Sequence, residues 1–115
     1  MATQATLETL FGGQAAAKVF LFIENYGEGY ASGIAKTFEM PVSEVQKQLK
    51  KFEEAGILVS RSVGTSRMYT WNPRDPALEG LRQLLKSTLE YGIPTDRLEK
   101  YFRQRRRPRR QGKPL

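Results

Sequence analysis

The chain has 115 residues, no cysteine, no histidine, and nineteen Lys and Arg against twelve Asp and Glu, for a formal net charge of +7. That length suits one domain able to bury a core without disulfides or metal. The missing residue types exclude disulfide staples, thiolate chemistry, zinc-finger ligation and a histidine general base. Seven of the cations fall in the last thirteen residues, RQRRRPRRQGKPL, which hold no acid, so residues 1–102 balance at twelve cations and twelve acids. A neutral body binds nucleic acid only where its own cations gather on one face.

Taken in chain order, Leu7, Leu10 and Phe11 sit at i, i+3, i+4 and predict a short amphipathic helix over residues 3–11, broken by Gly12 and Gly13. Ala16, Val19, Phe20 and Ile23 form one stripe of a helix over 14–26, which Gly27 ends. GEGY is a turn, and Tyr30 and Ala31 either form a short strand or enter the next helix, 32–38, carried by Ile34, Ala35 and Phe38. Glu39-Met40-Pro41 is a tight connection, because proline restricts itself and the residue before it. In VSEVQKQLKKFEEAG, Val42, Val45, Leu49 and Phe52 recur at 3, 4 and 3 residues, an amphipathic helix closed by Gly56.

Residues 57–62 and 67–71 alternate around Val63-Gly64-Thr65-Ser66, which is a hairpin signal. Tyr69 and Trp71 share one face of it, facing the core. Asp75 then offers a cap and Pro76 a first helical residue, with Leu78, Leu81, Leu84, Leu85 and Leu89 along one side of a helix over 76–91. A last helix starts at Pro94 and Thr95, carries Leu98, Tyr101 and Phe102, and is expected to run on through 103–107 before a disordered basic tail at 108–115. The expected fold is mainly α with a small β-hairpin: a winged helix-turn-helix domain over 1–92, with extra N- and C-terminal helices, the latter at 93–107. In that arrangement the second of two short helices enters the major groove and the hairpin reaches the flanking backbone.

On the helix starting at Val42, the face opposite the apolar stripe carries Ser43, Lys47, Lys50, Lys51 and Glu54, with Glu44 and Gln46 on its shoulders. Ser43 and Gln46 suit hydrogen bonds to base edges, and the lysines suit bases or phosphates. Glu44 either accepts from a cytosine amino group or complements the helix dipole. In the hairpin, Arg61, Thr65, Ser66 and Arg67 offer small donors and two guanidinium groups for the DNA backbone. Arg105, Arg106, Arg107, Arg109 and Arg110 would add phosphate attraction independent of sequence.

The stretch MPVSEVQKQLKKFEEAGILVSRSVGTSRMYTWNP resembles the arsenic-repressor-like (ArsR-like) branch of winged helix-turn-helix regulators. Leu49, Phe52, Glu53, Glu54, Ala55, Gly56, Ile57 and Leu58 match its "LxxLEExGLL" segment, and Gly64, Arg67, Tyr69, Asn72 and Pro73 its "G-x-x-R-x-Y-x-x-N" strand. Upstream, LETLFGGQAAAKVFLFI is similar to the opening of small regulators often found beside minimal nucleotidyltransferases, and the resemblance spans about residues 7–75. It implies a cytoplasmic, nucleoid-associated prokaryotic regulator that binds double-stranded DNA as a homodimer, packed through its terminal helices. Leu7, Leu10, Leu85, Leu89, Leu98, Tyr101 and Phe102 are more apolar groups than one winged-helix core needs, and they either cover a partner in part or all pack within the chain. Soft-metal sensing is rejected for want of Cys and His, and no cofactor or membrane partner is expected. Two other readings stand beside this one: a protein-docking module, and non-specific nucleic-acid binding through the tail. An enzyme is not expected, because the acids are scattered and no Gly-rich phosphate loop is visible.

Overall fold

Residue 20 lies where the molecule's parts meet. In a computed structural model, which describes residues 2–104, the Phe20 ring stacks on Phe52 at 4.1 Å and Trp71 at 5.7 Å and meets Phe11 edge-on at 5.1 Å. It belongs to α2 (Gln14–Tyr26), on which Ala16, Ala17, Val19, Phe20, Leu21 and Ile23 are all buried. A helix apolar on more than one side must be covered on more than one side. Around α2 lie α1 (Gln4–Phe11), α3 (Ala31–Phe38), α4 (Val42–Glu54), α5 (Leu78–Ser87), α6 (Thr95–Phe102) and the second strand of a hairpin built from β1 (Leu58–Val63) and β2 (Ser66–Trp71). The fold is mainly helical with one antiparallel hairpin, in the element order the periodicities predict.

Local chemistry explains most boundaries. Thr3 caps α1 through a reciprocal capping box with Thr6, and Gly12 ends that helix. Of the two alternatives for Tyr30 and Ala31 the helix is realised, and the one bridge to the hairpin among the described residues before α3 falls a residue earlier, at Gly29. Gly29 exchanges two backbone hydrogen bonds with Tyr69 of β2, at 2.8 and 2.9 Å, and Tyr30 then begins the helix. Glu39 closes α3 in the left-handed region (φ 56°), its N–H donating to the carbonyls of Ala35 and Lys36, and so turns the chain into α4 within three residues.

The C-terminal half departs from expectation at three places. Asp75 accepts from the Ala77 N–H at 2.9 Å, but Pro76 and Ala77 stay in a turn and α5 begins at Leu78. The expected single helix over 76–91 changes pitch after Ser87 into a π-helical turn, Thr88–Gly92, where the fully buried Thr88 hydroxyl donates to the Leu84 carbonyl at 2.9 Å. The expected extension of the last helix through 103–107 also fails at its first residue. Arg103 is left-handed (φ 52°), its N–H bonds to the Leu98 carbonyl, and α6 ends at Phe102. Residues 105–115, with the expected tail, lie outside the described residues.

Of the two roles open to the surplus apolar side chains, most take the packing within the chain's own core. Leu7, Leu85, Leu89, Leu98 and Phe102 are buried and Tyr101 is half-buried, whereas Leu10 is 63% exposed. Among the described residues no helix is long and apolar enough to cross a membrane.

Candidate nucleic-acid interface

The site begins with how α4 is held. Val45, Leu49 and Phe52 are buried against α2 and α3, and Ser43, Glu44, Gln46, Lys47, Lys50, Lys51 and Glu54 are all exposed. Ser43, Gln46, Lys47 and Lys50 stand at i, i+3, i+4 and i+7, so they form one ridge along the helix. Val42, counted by its spacing with the apolar stripe, is 40% exposed and lines a groove instead. No side chain caps the start of α4, where Pro41 precedes the helix and its carbonyl accepts from Glu44 and Val45.

That groove holds about 300 Å³ and runs between α4 and the hairpin tip. Val42, Gln46 and Leu49 form one wall, Thr65, Ser66, Arg67 and Tyr69 the other, and Tyr30, Ala31 and Ser32 at the start of α3 close the end. Gln46 of the helix and the Thr65–Ser66–Arg67 tip are thus brought together, as the sequence reading required. Tyr30, Val42 and Tyr69 join them without having been singled out for it. The sequence marks Tyr30 only as a strand or helix boundary and Tyr69 only as core and as part of the strand motif, and nothing in their local spacing marks a shared groove.

The hairpin is sharp because its turn has two central residues, Gly64 and Thr65, between the paired Val63 and Ser66. Gly64 has φ 61° and Thr65 is not left-handed, the backbone pattern of a II′ turn, which a glycine in the first position satisfies without steric cost. At the root the Asn72 N–H donates to the Ile57 carbonyl at 3.0 Å and its side-chain amide to the Gly56 carbonyl at 2.8 Å. Ser60 of β1 donates to a carboxylate oxygen of Glu53, which ties the hairpin to α4.

Strand register separates the two arginines that were expected to act together. Ser62 pairs with Arg67 and Arg61 with Met68, so Arg67 shares a face with Ser60, Ser62, Tyr69 and Trp71, and Arg61 points from the opposite one. Arg67 lies at the groove, donating to the Ser62 hydroxyl at 3.0 Å. Arg61 reaches across β2 and forms a 2.9 Å ion pair with Glu28. Alternation around a two-residue turn carries this signal in the sequence itself.

The electrostatics follow the same division. Lys47, Lys50, Lys51 and Arg67 make no ion pair among the described residues, whereas Arg61 is paired with Glu28 and Arg82 with Glu24. The exposed face of α4 therefore carries lysines with no ion-pair partner among the described residues, beside the equally exposed Glu44 and Glu54. Tyr69, in the groove wall, has its phenol raised above the ordinary value by burial and by Glu53, against an opposing effect of Arg67, so it stays a hydrogen-bond donor at neutral pH. Arg105, Arg106, Arg107, Arg109 and Arg110 lie outside the described residues. Among the described residues no group of His, Cys, Asp and Glu is arranged to hold a metal ion. Comparison of the chain with protein-family models, curated proteins and solved structures finds no match.

Proposed function

We propose that the protein is a sequence-specific, DNA-binding regulator of the winged helix-turn-helix type. In this reading α4 lies in the major groove of double-stranded DNA and the hairpin tip lies on the flanking backbone. The observation that carries the proposal is the exposed face of α4, with Ser43, Lys47, Lys50 and Lys51, next to a groove lined by Gln46, Thr65, Ser66 and Arg67, the four cations having no ion-pair partner among the described residues. Cations without internal partners are free to replace counterions on phosphate, and short polar groups on the same ridge suit base edges. The ArsR-like resemblance over residues 7–75 supports the same assignment. The runner-up, a protein-docking module, draws its support from the equal numbers of cations and acids in residues 1–102.

Selection from random duplexes tests this reading, followed by titration of the selected sites across a range of salt. The full chain is expected to enrich a sequence. A chain ending at Gln104 is expected to keep that preference with weaker binding and a shallower salt dependence. Lys47→Glu combined with Arg67→Glu is expected to abolish selective binding. No enrichment by either chain overturns the reading, in favour of docking where duplex binding is absent and of the tail where the full chain binds all duplexes alike, and the binding stoichiometry decides between one copy and a homodimer.

A further inference from the structure

A second cleft, of about 530 Å³, lies between α2, α3 and α6, and only Tyr30 borders both it and the groove beside α4. Its walls are aromatic. Phe22 and Tyr26 stand 4.5 Å apart on α2, Tyr30 enters from the start of α3, and Tyr101 of α6 leans on Phe38 at 5.4 Å. The Tyr30 ring lies so close along Gly33 that a Cβ at that position would come within 2.9 Å of it.

The rim is cationic, formed by Lys36, Lys100 and Arg103, and among the described residues no carboxylate lines the cleft. Glu39, which does not line the cleft, forms a 4.0 Å ion pair with Lys100, both side chains being well exposed. Two of the hydroxyls in the walls are already used: Tyr26 donates to the Tyr101 carbonyl at 2.8 Å and Thr37 to the Gly33 carbonyl at 2.9 Å. Asn25 donates to the Phe102 carbonyl at 2.9 Å and accepts from the Gln104 side chain. These bonds pin the end of α6 to α2 and so fix the backbone from which Arg103 projects.

We propose that this cleft binds a planar organic anion, an aromatic ring bearing a carboxylate or phosphate. The ring lies against the tyrosine faces and the anionic group meets Lys36, Lys100 and Arg103. The volume falls in the usual range for small-ligand sites. A neutral apolar ligand would leave Lys36 and Arg103 to be desolvated without a carboxylate partner, and a bare anion would leave the aromatic walls wet. A ring with an attached anion satisfies both, through stacking and through charge-assisted hydrogen bonds.

The test is calorimetric titration of the full chain with adenosine 5′-monophosphate and with salicylate, using adenosine and inorganic phosphate as references. Amide chemical shifts are followed in parallel, and no DNA is present, so the outcome is independent of the operator-binding reading. At least one ring-bearing anion is expected to bind about tenfold more tightly than either reference and to shift the amides of Gly33, Lys36, Lys100 and Arg103. Preference for the nucleotide assigns the ligand class to nucleotides, and preference for salicylate to aromatic acids. The exposed double substitution Lys36→Glu with Lys100→Glu is expected to lower that affinity about tenfold or more with an unchanged circular dichroism spectrum. Four outcomes overturn the proposal: no binding by either ring anion, equal binding by inorganic phosphate, shifts confined to residues 105–115, or full affinity in the folded double variant.

Discussion

Arg61 and Arg67 are six residues apart, identical in chemistry and opposite in circumstance. Arg61 is held by Glu28 on the outer face of the hairpin, whereas Arg67 sits at the groove with only the Ser62 hydroxyl as partner. Arg67→Ala is therefore expected to weaken duplex binding and reduce the magnitude of its log–log salt slope by about one. Arg61→Ala is expected to leave both unchanged and to cost under about 1 kcal/mol of stability, as exposed ion pairs do. Paired titrations of the two variants check this contrast. Tyr26 makes a different prediction. Its phenol is raised above 10.0 chiefly by burial, with Arg103 and the Asn25 side chain pulling the other way. A raised value in the folded state means that the unfolded phenol ionises first. The corresponding stability is therefore present below pH 10 and is lost as pH rises through the folded value. Chemical denaturation across that window is expected to fall less steeply for Tyr26→Phe than for the parent.

Elements whose periodicity and packing agree are the ones legible in the sequence. The Val45, Leu49 and Phe52 spacing and the Val63-Gly64-Thr65-Ser66 turn placed α4 and the hairpin within a residue or two of where they lie. The break at Ser87 was hidden because the leucine spacing runs on unchanged to Leu89, and the change of pitch depends on how Thr88 is buried. The stop at Phe102 was hidden because its left-handed residue is an arginine, where glycine would have announced it. The site was partly legible: α4 displays its polar ridge by simple spacing, but Tyr30 reaches the groove only through tertiary packing. The same dependence on packing appears between α2 and α5, where the Glu24 side chain is 4% exposed and receives a 2.8 Å hydrogen bond from Arg82, itself 38% exposed. Removing the cation strands a buried carboxylate, whereas neutralising the acid leaves an arginine that water still reaches. Arg82→Ala is accordingly expected to cost about 3–5 kcal/mol and Glu24→Gln less, about 1.5–3 kcal/mol, by urea unfolding.

At the scale of the whole molecule, α2 is covered by five helices and a strand, so its central turns open only when everything does. The hairpin has no such cover along its length. Its root is clamped by Asn72 on one side and by the Gly29–Tyr69 bridge on the other, but beyond Tyr69 toward the tip the backbones of the two strands pair only with each other among the described residues, with the exposed Arg61–Glu28 ion pair as a side-chain tether. Native-state amide exchange therefore follows a gradient along a single element. The Tyr69 amide is expected to approach the protection of the core, and the amides of residues 64–67 to exchange through local opening at little cost. Equal protection from root to tip would contradict this. The gradient lets the hairpin behave as a lever on a fixed hinge, with the tip free to settle onto the contour it meets while the groove's inner wall keeps its place.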